Sequence, residues 1–143
     1  VLPLLQEKGL SAANIARVLE VIGSRLRMLQ PILSLTNVDT KSVNEHISKT
    51  ESLAMRDVSD LFKNSTSKEE VNRLSVSLDT IVKDGSVAYV PENVDSPDIC
   101  GLILFRQLDG KYVFQNATVA YVWKNHREEI LHSFEILNIK NDK

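Results

Sequence analysis

The stretch from Ser65 to Val90, STSKEEVNRLSVSLDTIVKDGSVAYV, constrains this chain more than any other. Ser67-Lys68-Glu69-Glu70 has the form of a capping box: the serine hydroxyl accepts from the N3 amide and the glutamate reaches back to the cap. Thr66 with Glu69 offers a second register one residue earlier. Val71, Leu74, Leu78, Ile81 and Val82 then recur at the spacing of one helical face. Gly85 follows Asp84, where the left-handed conformation that ends a helix is needed. Ser86-Val87-Ala88-Tyr89-Val90 is rich in strand formers. A helix that stops at glycine and runs directly into a strand points to an α+β chain.

The rest of the chain is read around that unit. Ser11 is placed to cap a helix over about 12–30, with Ile15, Val18, Leu19, Ile22, Leu26 and Leu29 on its buried face. Pro31 is expected to end it, and Gly23 to sit within it at a cost of about 1 kcal/mol against alanine. Val21, Met28 and Ile32 lie off that stripe and form a candidate surface for a protein partner or for self-association. Asn37-Val38-Asp39-Thr40 is a polar break. Val43, Ile47, Ala54, Val58, Leu61 and Phe62 then suit either one long helix over 41–62 or two short ones divided at the polar Ser48–Ser52.

After Val90, residues 91–98 carry two prolines and three acids and read as a loop. Ile99–Gln107 and Lys111–Gln115 are strand-like and flank the hairpin signal Asp109-Gly110. Val119, Val122, Trp123, Ile130, Leu131 and Phe134 suit a terminal helix, although Val119–Trp123 could instead extend the sheet. The fold class expected is therefore α+β: a helical N-terminal part (1–36), then a domain (37–143) with a three-helix core, a small antiparallel β-hairpin and a C-terminal helix.

Within 40–125, the pattern Val71-x-x-Leu74-x-x-x-Leu78-x-x-Ile81-Val82-x-Asp84-Gly85-x-Val87, followed by Asp109-Gly110-Lys111-Tyr112-Val113-Phe114, resembles a winged helix-turn-helix domain. The resemblance implies a third helix that leads into a DNA groove with its N-terminal residues. It makes Ser65, Lys68, Asn72 and Arg73 candidate DNA contacts, with Arg106 and Lys111 on the hairpin following the backbone. It also prefers two helices within 41–62, the second at about 51–62.

Charge argues against that use. The chain carries 17 Lys and Arg against 19 Asp and Glu, with pI near 5.9. Residues 46–111 hold 8 basic and 11 acidic side chains, and Glu69 and Glu70 share the helix start with Lys68 and Arg73. Strongly basic, nucleic-acid-coating proteins are excluded by this balance.

Chemistry is sparse. His126 and Glu129 share a helix face, but His132 lies six residues on, where a zinc helix needs histidines four apart. Cys100 sits in the apolar run Ile99–Ile103 and reads as a core residue. The five glycines are scattered singly, so no phosphate-binding loop is expected. Asn116-Ala117-Thr118 matches a glycosylation acceptor, a short pattern common by chance.

No catalytic residue, metal or cofactor is expected, and no membrane association. A lone cysteine and the lack of a signal-like segment make a cytoplasmic location the default. The chain opens in mid-pattern at Val1, as a domain of a larger protein would. The expected function is recognition: a non-catalytic regulatory or assembly module acting mainly through protein contacts. The alternatives are a sequence-specific DNA-binding regulator, and a small-ligand sensor with its pocket between hairpin and terminal helix.

Overall fold

The structure is a computed structural model that describes residues 2–35, 39–65 and 67–141, with 135–141 as helical backbone. Three short helices lead, α1 (Leu2–Glu7), α2 (Ala12–Val21) and α3 (Leu26–Leu33). They are followed by α4 (Thr40–Phe62), α5 (Lys68–Asp84) and the single turn α6 (Pro97–Cys100). The strands β1 (Leu104–Arg106) and β2 (Tyr112–Phe114) then form an antiparallel pair, and α7 (Ala117–Asn141) closes the order. The class is α+β, mostly helical with one two-stranded sheet among the described residues.

The expected helix over 12–30 is two helices. Ser11 does cap the first, accepting from Asn14 N at 3.2 Å. Gly23 then adopts φ +89° and turns the chain before α3. Its missing side chain matters as much as its backbone, because a Cβ there would meet the Ala117 Cβ at 2.6 Å. Pro31 lies inside α3 rather than at its end. It is exposed, so water can reach the carbonyl that the proline leaves unpaired.

Residues 40–62 form one helix, not the pair that the winged-helix pattern prefers. Asp39 caps it through Ser42 N at 2.7 Å. The polar middle does not break it: the Thr50 hydroxyl bonds back to the His46 carbonyl at 2.9 Å, and Glu51 meets His126 on α7. The two halves of α4 face different neighbours. Val43 and Ile47 complete an apolar cluster with Leu5, Val18, Val21, Ile22, Leu29 and Ile32. Ala54, Val58, Leu61 and Phe62 join a second cluster with α5, the hairpin and α7. The 36/37 division, the break at Asn37-Val38 and Thr66 lie outside the described residues.

Ser67, the later of the two registers, caps α5 by accepting from Glu70 N at 3.2 Å. Gly85 ends the helix at φ +88°, with its N–H on the Ile81 carbonyl at 2.8 Å. The strand expected over 86–90 is reduced to one antiparallel bridge, Val87 to Tyr112. The Tyr89 carbonyl is taken instead by Ser77 at 3.3 Å, and Pro91 cannot donate to a ladder. The strand expected over 99–107 survives only as β1. Pro97 at the first helical position starts α6, and the Ser96 carbonyl accepts from Ile99 and Cys100.

Asp109-Gly110 makes the turn expected of it, with Gly110 at φ +87° and Lys111 N on Asp109 Oδ1 at 2.9 Å. Leu104 pairs with Phe114 and Arg106 with Tyr112. Val119–Trp123 belongs to α7 and not to the sheet. Asn116 begins that helix by accepting from Val119 N at 3.0 Å, so the apparent glycosylation motif is occupied by a helix cap.

Two polar ties hold α7. The Trp123 indole N–H donates to Asp79 Oδ1 at 2.9 Å, and Arg127 clasps the same carboxylate through Nε at 3.0 Å and Nη2 at 2.9 Å. His126 Nε2 lies 2.5 Å from Glu51 Oε1, with Glu129 Oε1 3.5 Å from Nδ1.

Gly23 and Gly85 separate the two roles of a positive-φ glycine, since nothing lies within 4 Å of a Cβ built at Gly85. Gly85→Ala is expected to cost about 1 kcal/mol in urea unfolding, from backbone strain alone. Gly23→Ala should cost about 2–4 kcal/mol, because the clash with α7 adds to that strain.

The hydrogen bond that His126 donates to Glu51, aided by Glu129, raises the His126 pKa above the ordinary 6.5 despite partial burial. The protonated pair therefore contributes its full stability below pH 6.5 and loses it as pH rises through the higher folded-state value. The stability difference between wild type and His126→Gln should accordingly be largest below pH 6.5 and shrink above it, as read from urea midpoints across pH.

Candidate functional site

A cleft of about 800 Å³ runs between the outward face of α5 and the segment 89–93. Glu69, Glu70, Asn72, Arg73, Val76 and Ser77 supply the helical wall. Tyr89, Val90, Pro91, Glu92 and Asn93 supply the other. Helical spacing explains the first wall, because 69, 72, 73 and 76 lie opposite the buried stripe of Val71, Leu74, Leu78 and Ile81.

The second wall is held in place at several points. Val87 is bridged to Tyr112 through backbone hydrogen bonds of 3.0 and 2.8 Å. The buried Ser77 hydroxyl lies 3.3 Å from the Tyr89 carbonyl and 3.0 Å from that of Arg73, sharing one proton between them. Asn93 Nδ2 donates to the Asn64 carbonyl at 3.1 Å and to Ser65 Oγ at 3.3 Å. Val94 is fully buried in the core beneath. With its backbone so tied, the segment still displays the Tyr89 side chain, which is 83% exposed, beside Val76, which is 63% exposed.

The electrostatics of the cleft are acidic. Arg73 is its one cation among the described lining residues, and Arg73 Nη2 lies 2.6 Å from Glu69 Oε1. Glu70 and Glu92 add two further negative charges.

The candidate DNA contacts do not gather on one positive face. Asn72 and Arg73 line the cleft, and Arg73 is engaged by Glu69. Ser65 is half-buried and accepts from Asn93, which commits it to the loop. Lys68 is exposed at the helix start. Neither Arg106 nor Lys111 is among the described lining residues. Arg106 lies over the Tyr112 ring, 5.7 Å from its centroid, and Lys111 sits in the hairpin turn. The candidate partner stripe on the N-terminal helices turns inward: Val21 and Ile32 are wholly buried against α4 and Met28 is half-buried. These positions serve the core, because the turn at Gly23 rotates α3 relative to α2.

A second, smaller cleft of about 360 Å³ lies between residues 95–101 and the hairpin. In it the Tyr112 hydroxyl donates to Asp95, and that bond raises the Tyr112 pKa. Cys100 is a buried core residue whose thiol pKa is pushed up by burial, which disfavours the nucleophilic thiolate. His126 is paired with Glu51 between α4 and α7.

No protein-family model matches the chain, no curated protein matches its sequence and no solved structure matches its fold.

The helical spacing places Asn72 and Arg73 outward, whereas strand propensity assigns Tyr89 to a ladder and so hides its display. The available signal was Pro91, two residues on, which limits how far a strand can run. Because Asn93 ties the loop to the start of α5, Asn93→Ala should cost about 1 kcal/mol and speed amide exchange over 89–93, with the exchange of α7 unchanged.

Proposed function

We propose that this chain is a non-catalytic recognition domain, part of a larger regulatory or assembly protein, that binds a protein partner through the α5 cleft. One observation carries the reading: Tyr89 and Val76 stand exposed together on a preformed cleft whose only described cation is neutralised by Glu69. Displayed aromatic side chains on fixed backbone are the usual anchors of protein interfaces. Phosphate binding requires the opposite charge balance.

The winged-helix frame stays part of the proposal. The bridge from Val87 to Tyr112, beside the β1–β2 pair, supports a wing-like arrangement after α5. Such a frame used for protein contacts accounts for the acidic face better than use on DNA. A small-ligand reading has the second cleft in its favour, where Asp95, Tyr112 and Arg106 converge. Among the described residues no helix is long and apolar enough to cross a membrane.

Mobility shifts with duplex DNA across a salt series test the choice. The expected outcome is no saturable shift from 50 to 200 mM salt, values chosen to span about the range over which phosphate contacts weaken most visibly. Tight binding that falls steeply with salt would reverse the reading in favour of DNA.

A further inference from the structure

The cleft also constrains the chemistry of its partner. Its apolar surface comes from Val76, Tyr89 and Pro91, and its rim carries Glu69, Glu70 and Glu92 against Arg73. Three acids against one base leave a net charge of −2, in the same place as the most exposed aromatic ring of the chain. A negative rim favours a positive partner and repels an acidic one. An exposed tyrosine face attracts an ammonium or guanidinium group, worth about 0.5–1 kcal/mol at such a site. Lysine and arginine also bring methylene stems that cover apolar surface while their charged ends stay in water. The cleft therefore suits both parts of one kind of side chain.

We infer that the occupant is a short segment of another protein carrying lysine or arginine next to an aliphatic or aromatic side chain. This inference rests on the reading of the cleft as a protein-binding site. Tyr89 anchors the segment, its aliphatic or aromatic side chain lies against Val76 and Pro91, and its cation reaches Glu92. The tied backbone over 87–94 means that little ordering of the cleft itself is needed on binding.

A displayed library of 12-residue peptides, panned against the whole chain, tests the assignment; the length is set at about what an extended segment needs to span such a cleft. The selected peptides are then titrated by fluorescence anisotropy against wild type, Tyr89→Ala and Glu92→Lys. Both side chains are exposed, so both variants should keep the wild-type circular dichroism and melting temperature.

The expected result is enrichment of Lys- or Arg-bearing apolar peptides. Their affinity should fall about tenfold or more in Tyr89→Ala, as for an interface anchor, and several-fold in Glu92→Lys. Enrichment of neutral or acidic peptides that still need Tyr89 would overturn the cationic assignment and leave the cleft as the binding site. Peptides indifferent to Tyr89→Ala, or no enrichment at all, would overturn both.

Discussion

The seat of Trp123 is the contact on which the other elements depend. Its ring is buried and stacks on Phe62 of α4 at 5.5 Å between centroids, and Phe62 in turn meets Phe134 at 5.6 Å. Its indole N–H reaches Asp79 of α5, and Arg127 both clasps that carboxylate and lies over the indole, 5.6 Å from its centroid. One residue on α7 thus fixes the positions of α4 and α5 together. Truncating such a side chain typically costs about 3–5 kcal/mol, which would take a large part of the stability of a domain this size. The polar component is smaller, because Asp79 and Arg127 are each partly in water. Its role is to orient: a bidentate clasp defines the rotation of α5, and therefore which residues of α5 face outward.

That rotation produces the cleft. With Leu74, Leu78 and Ile81 held inward, residues 69, 72, 73 and 76 have no choice but the outer face. The same outer face would have met DNA in the arrangement that the sequence resembles. Its character is set by the i, i+4 pair of Glu69 and Arg73, which places an acid against the most useful base. Glu69 serves the helix as well, since an acid in the first turn suits the helix dipole. Local helix stability and the disfavouring of phosphate therefore come from the same residue.

Much of the fold was legible because the signals were local. Ser11, Ser67 and Gly85 act where their types and spacing place them, and Asp109-Gly110 turns as expected. The errors arise where a distant contact decides. Nothing near Gly23 reveals that Ala117, far along the chain, lies against it and leaves no room for a Cβ. Likewise the polar run Ser48–Ser52 looks like an interruption until His126 supplies a partner for Glu51. The candidate site was half legible for the same reason. The outward residues of α5 follow from periodicity, whereas the display of Tyr89 depends on Ser77 capturing its carbonyl from across the chain.

This last contact explains how an exposed aromatic can be kept without a strand beneath it. A residue in a ladder has its direction fixed by pleat alternation, and lengthening the Val87 bridge would tie Tyr89 to that alternation and to a neighbouring strand. Ending the ladder at Val87 frees the backbone, and Ser77 and Asn93 then fix it again, Ser77 through one hydrogen bond to the Tyr89 carbonyl and Asn93 through two to residues 64 and 65. Each such bond is worth only about 1 kcal/mol, yet with the Val87 bridge before the ring and the buried Val94 after it they hold the segment on both sides. The ring itself remains in water, so its burial on binding a partner is available as hydrophobic gain, about 25 cal/mol for each Å² covered. Rigid backbone below and an uncovered aromatic above is the combination that makes binding, rather than folding, the use of Tyr89.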